Sequence, residues 1–171
     1  MLPDKNDIAS AIPQSFVLFK PKDIVSGDFY FFTSYHNKLF IAAGDCTGHG
    51  VPGAFMSMLG TEKLHNAVKQ SDDPGKILSL LNEGIKSSLH QSEHAYTNRD
   101  GMDIALCTID LKSRTIEFAG ANRPIWIVRK LSDTLEEIGG TKASIGGITE
   151  NDKYFSKHII ELDPCDAFYL F

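Results

Sequence analysis

Four aspartates, Asp28, Asp45, Asp100 and Asp103, sit beside or close to glycine at the mouths of apolar runs, in "VSGDFY", "AAGDCTGHGVPG" and "RDGMD". Asp next to Gly is ordinary turn chemistry: the short side chain bonds nearby backbone and Gly tolerates positive φ. Four such acids in one chain also admit a second reading. Two carboxylates 4 Å apart repel by roughly 4 kcal/mol at an effective dielectric near 20, so acids gathered in one place usually share a cation. Oxygen donors without neighbouring thiolate or imidazole ligands suit a hard ion, Mg²⁺ or Mn²⁺.

The glycines at 44, 48, 50 and 53 relax the backbone around Asp45, and their loop runs into a helix N-terminus, where unpaired N–H groups favour anions. Their spacing matches neither the Walker A loop nor the dinucleotide fingerprint. His49 suits proton transfer or phosphate contact. Cys46 and His49 are the residue types of a thiol nucleophile pair, but spacing alone does not bring them into contact, and Cys46 directly after a strand reads as a small core residue. His36, His65, His90, His94 and His158 fall in turns or on element faces and read as solvated or structural.

The elements that must position these acids are legible in the hydrophobic pattern. "SFVLFKPKDIVSGDFYFFTSYHNKLFIAAGDC" reads as two or three strands with His36-Asn37 as a turn, and its nearly continuous apolar runs predict strands covered on both faces. From Pro52 the period becomes helical through Phe55, Met58, Leu59, Leu64, Ala67 and Val68. A second helix follows, with Asp73 as N-cap, Pro74 in its first position, and Ile77, Leu80, Leu81 and Ile85 as the buried stripe. Six further strand-like runs come after it, from "MDIALCTIDL" to "DAFYLF", with turns at Lys112-Ser113, Asn122-Arg123-Pro124 and Gly146-Gly147. Strands, two helices, then many strands predict an α+β domain with antiparallel sheets and segregated helices.

At 171 residues, 42% hydrophobic and 23% charged, the chain is sized for one globular core. A net charge of −5 with scattered Lys and Arg argues against nucleic acid as partner, though a metal-bridged phosphate remains compatible. Cys46, Cys107 and Cys165 form no Cys-x-x-Cys pair, which predicts a reducing, cytoplasmic setting without disulfides or a thiolate zinc site. No apolar run approaches the ~20 residues of a membrane span, so no direct membrane contact is expected.

Taken in order, "VSGDFY", "AAGDCTGHGVPGAFMSML", "DGMDIALCTIDL", "FAGANRPIWIVR" and "SIGG" resemble the SpoIIE-like (RsbU-type) branch of the metal-dependent serine/threonine phosphatases, the PPM or protein phosphatase 2C class. The resemblance runs from about Phe16 to Phe171. It implies a β-sandwich of two antiparallel sheets flanked by helices in α-β-β-α layers, with two Mn²⁺ or Mg²⁺ ions at one end. By position it implies Asp28, Asp45, Asp103 and the backbone carbonyl of Cys46 as metal ligands. Asp45, Asp28 and His49 become the catalytic group, with Asp100 a less certain neighbour and Asn122 and Gly48 as substrate contacts. Attack by a metal-bridging water on phosphoserine or phosphothreonine is the implied reaction, and a phosphorylated bacterial regulatory protein, of the STAS-domain anti-sigma factor antagonist type, the implied substrate. Residues 1–14 read as a linker from an upstream sensory module, and the domain, 15–171, is expected to continue past Phe171 into an Asp-Gly motif that carries one more ligand. The alternative from another class is a catalytically silent phosphatase-fold signalling module.

Overall fold

The computed structural model describes residues 2–91 and 98–171; His94 lies outside the described residues. Strands β1 (Asp28–Tyr35) and β2 (Lys38–Cys46) form a hairpin whose two-residue turn has positive φ at both His36 (49°) and Asn37 (62°), the twist that suits right-handed strands. Helices α2 (Gly50–Val68) and α3 (Pro74–Ser88) follow, and Asp73 accepts the amide of Lys76 at 3.0 Å as the N-cap of α3. The remaining strands are β3 (Gly101–Asp110), β4 (Thr115–Ala121), β5 (Ile125–Arg129), β6 (Thr134–Ile138), β7 (Ile145–Gly146), β8 (Lys157–Glu161) and β9 (Ala167–Leu170).

These strands make two antiparallel sheets. The larger runs β1-β2-β3-β4-β8, with β7 paired to the start of β3, and the smaller runs β6-β5-β9. Successive residues of β3 point to opposite faces, so Met102, Ile104 and Leu106 meet α2 and α3 while Ala105, Cys107 and Ile109 meet the smaller sheet. Two apolar layers result: one between helices and sheet, containing Phe31, Leu64, Ile77 and Leu81, and one between the sheets, containing Phe118, Ile125 and Ile127. Burial on both faces holds for β3; β1, at the sheet edge, alternates instead.

Of the two or three strands expected early in the chain, two form: residues 16–27 carry no regular structure, and Phe16, Leu18 and Ile24 are exposed, since Pro21 and the lysines beside it offer a poor ladder. Within residues 1–14, α1 (Lys5–Ala11) buries Ile8, while Tyr30 Oη donates to the carbonyl of Pro3 at 3.1 Å. Two expectations about buried faces need correction. In α3 the fully buried stripe includes Leu78, with Leu80 only partly buried. On α2 the bulky Phe55 and Met58 face outward, and Gly53, Met56, Gly60, Leu64, Ala67 and Val68 face the sheet. Gly60 leaves room for the Met102 thioether, whose Cε stands 2.7 Å from where a Cβ on Gly60 would be, on the face that also buries Met56 and Leu64.

Candidate functional site

Register places the acids. Asp28 pairs with Asp45 across β1 and β2, and Asp45 pairs with Asp103 across β2 and β3. Since the three are direct cross-strand partners, their side chains leave the same face of the larger sheet, the face turned toward the smaller sheet, at its open end. Asp100 lies before β3 and does not join the row. It accepts a hydrogen bond from Thr47 Oγ1 at 2.9 Å, and Thr47 Oγ1 in turn accepts the amide of Gly101 at 3.1 Å, which ties the end of β2 to the start of β3.

Each acid of the row has partners. Burial first, then the neighbouring Asp45 carboxylate, raise the Asp28 carboxyl above its ordinary value, while Arg123 pulls the other way. Asp45 Oδ2 accepts from Arg123 Nη2 in an ion pair. Asp103 Oδ1 accepts from Ser144 Oγ at 2.6 Å and from Asn122 Nδ2 at 2.9 Å, and the same Asn122 amide reaches Ser144 Oγ at 3.0 Å.

The β4–β5 connection explains how Asn122 and Arg123 get there. It crosses from the larger sheet to the smaller at the open end of the sandwich, with Asn122 in the left-handed region at φ 57°. Arg123 is pressed down at that crossing: a Cβ on Gly120 would fall 2.1 Å from the Arg123 carbonyl oxygen, so only glycine fits there.

Cys46 is buried, and burial, with the charges of Asp45 and Asp28, pushes its thiol up to about 12. It stays protonated at neutral pH and is no nucleophile. Its carbonyl and that of Gly48 lie close together, at 3.1 and 2.8 Å from where a Cβ on Gly27, the residue before Asp28, would be. His49 is exposed as the N-cap of α2, and its side chain caps no amide of the helix. Beside the row opens a cleft of about 730 Å³ lined by Asp45, Cys46, Asp103, Asn122 and Ser144 among others.

Three carboxylates and a pair of carbonyls are a hard-oxygen donor set, the chemistry Mg²⁺ and Mn²⁺ require, and the backbone register fits it. The side-chain orientations do not close it: among the described residues no three His, Cys, Asp or Glu side chains converge as a ready metal cage. Arg123 holds Asp45, and Ser144 with Asn122 holds one oxygen of Asp103. Ser144 and Thr47 stand inside the stretches "SIGG" and "AAGDCTGHGVPGAFMSML" yet escape sequence reasoning, because their partners, Asp103 and Asp100, lie in a distant segment and meet them only in space.

The family model described as Stage II sporulation protein E (SpoIIE) matches residues 35–171. The SiaA-PP2C domain of Pseudomonas aeruginosa is similar in structure with a TM-score of 0.77 and 30% identity, over 96% of this chain and 63% of that one. The PP2C phosphatase domain of SpoIIE from Bacillus subtilis, solved with a fragment of its regulatory domain, gives 0.63 and 24%, over 84% of this chain and 39% of that one. RsbX in complex with magnesium gives 0.66 and 15%, over 90% and 69%. No curated protein matches the chain. It spans 63% and 39% of the lengths of the first two of these relatives.

Proposed function

The chain belongs to the SpoIIE family, and from that premise we propose that it is a metal-dependent protein-serine/threonine phosphatase domain. The observation that carries the reading is the unbroken row Asp28–Asp45–Asp103 on one sheet face. Like charges directly opposite one another destabilise a sheet, so such a row is explained by a cation that it serves. Asp28, Asp45, Asp103 and the carbonyl of Cys46 would hold two Mn²⁺ or Mg²⁺ ions, in keeping with the magnesium of RsbX. When bound, such ions acidify a water and neutralise charge on phosphoryl oxygens.

The rest of the work falls to the chain itself. Asn122 and Ser144 fix one oxygen of Asp103 and leave the other free. Gly48 and His49 are exposed at the start of α2, four residues or fewer after Asp45, and in this reading Gly48 would contact the phosphoryl group and His49 would serve in proton transfer. The open cleft fits a phosphoserine or phosphothreonine segment of a protein, and the proposed substrate is a phosphorylated bacterial regulatory protein of the STAS-domain anti-sigma factor antagonist type, met in the cytoplasm. An upstream sensory module would control it, in keeping with the regulatory domain of the Bacillus relative.

The test is Mn²⁺-dependent release of phosphate from a phosphoserine peptide. Asp45→Ala is expected to lower the rate by more than about 100-fold, the several kcal/mol such ions supply. Equal rates in the two proteins would sink the metal mechanism, and Mn²⁺ binding without turnover would favour a silent signalling module.

A further inference from the structure

The acidic row already contains a cation. The Arg123 guanidinium pairs with Asp45, the middle acid, which touches both neighbours through the register, and the Arg123 side chain is 29% exposed against 51% for Asp45. We propose that Arg123 is a built-in competitor for the divalent cation, a latch that must swing off Asp45 before the row can close around metal. The inference rests on the metal reading above and concerns what sets the affinity of that site.

Three features argue that the contact is built rather than incidental. The backbone of Arg123 is held against Gly120 and Gly140, where added Cβ atoms would come within 2.1 and 2.6 Å of its carbonyl oxygen, so the side chain starts from a fixed point. The adjoining residue, Asn122, is anchored by its bond to Asp103, which fixes the turn from the other side. And the carboxylate it takes is the middle one of the row, whose Oδ2 is held by the guanidinium and so is closed to a metal ion while the pair persists. Arg suits the part because its planar fork stays charged at any physiological pH and is only weakly hydrated. The pair is partly exposed, so it is weak enough for a divalent ion at modest concentration to displace.

The released guanidinium would stand at the rim of the site with its charge unpaired, and a phosphoryl group is the natural anion to receive it. Metal and phosphate binding would then reinforce each other, as linkage requires when one ligand frees a group that the other uses.

The experiment is titration calorimetry of the protein with Mn²⁺ at fixed ionic strength, comparing wild type with Arg123→Ala, Arg123→Gln and, as a charge control, Lys142→Gln, which removes a cation lining the same cleft that does not pair with Asp45. Both Arg123 variants should bind Mn²⁺ about fivefold more tightly, the scale of one partly exposed ion pair, and Lys142→Gln should change it by less than about twofold. Thermal midpoints establish that each variant folds, and two replacements at Arg123 guard against one that does not. Unchanged or weaker binding in the Arg123 variants, or equal tightening by Lys142→Gln, overturns the latch and leaves the metal reading standing. No Mn²⁺ binding by any of the proteins overturns both.

Discussion

The same face of the same three strands changes character within two residues. Reading across β1, β2 and β3, one row is Phe32-Ile41-Cys107, the next is Tyr30-Ala43-Ala105, and the next is Asp28-Asp45-Asp103. Phe32, Ile41, Cys107 and Ala105 of the first rows pack with Phe118 and Ile127 in the layer between the sheets, Tyr30 meets Phe19, and Asp45 and Asp103 of the last row line the open cleft. A β-ladder thus turns a stable interior into a reactive edge by extension alone, because register carries every strand past the covering layer at the same level. The dry rows hold the backbone still, and the wet row gathers like charges that oppose one another, offset at Asp45 by its ion pair with Arg123.

Breaking the dry end should produce the largest effect. Phe118, fully buried between the sheets, contributes to that layer alone, and Phe118→Ala should lower the unfolding free energy by about 3–5 kcal/mol in denaturant titration. Mn²⁺ affinity of the folded fraction should be unchanged; a parallel loss of affinity would show that the two ends are not separable. Next comes the support of the wet row. Ser144→Ala removes the 2.6 Å bond to Asp103 and should weaken Mn²⁺ binding about 10- to 100-fold in calorimetry, as loss of a ligand's orienting partner does elsewhere, with little change in stability. An unaltered affinity would mean that Asn122 alone orients Asp103.

The smallest expected effect separates charge from packing. Asp28 has a raised carboxyl in the folded state, chiefly through burial and then through Asp45. The stability its neutral form contributes is complete below the usual carboxylate range and is lost as pH climbs through the raised value. Asp28→Asn removes that loss, so the variant should exceed wild type by about 0.5 kcal/mol at neutral pH without metal, a modest figure because the group is largely exposed. The difference should vanish in acid and reverse on adding Mn²⁺. A constant difference at every pH would assign the gain to something other than the charge.

Much of this molecule follows from local pattern. The helix start at Asp73-Pro74, the His36-Asn37 turn and the strand runs are set by short-range chemistry, and each occurs where that chemistry places it. Other features depend on what an element meets. Phe55 and Met58 look like a buried stripe until Gly53 seats the start of α2 against the backbone of Gly27 and Gly48, which turns Met56 and Leu64 inward, a fact that hydrophobicity does not encode. The two-residue strand β7 has no periodicity of its own and exists because Gly101 and Met102 pair with it.

At the candidate site the division is the same. Sequence alone determined which residue types sit at the strand ends: Asp28, Asp45 and Asp103, with Cys46 directly after Asp45. Tertiary structure decided which of them meet and what they meet. Asp100 was drawn off to Thr47, Asp103 was given Ser144 across 41 residues, and Asp45 was given Arg123 across 78. The reason is physical: strand ends are written in local composition, but a carboxylate's partners come from whichever chain segments the register and the sheet-to-sheet crossing bring to its side.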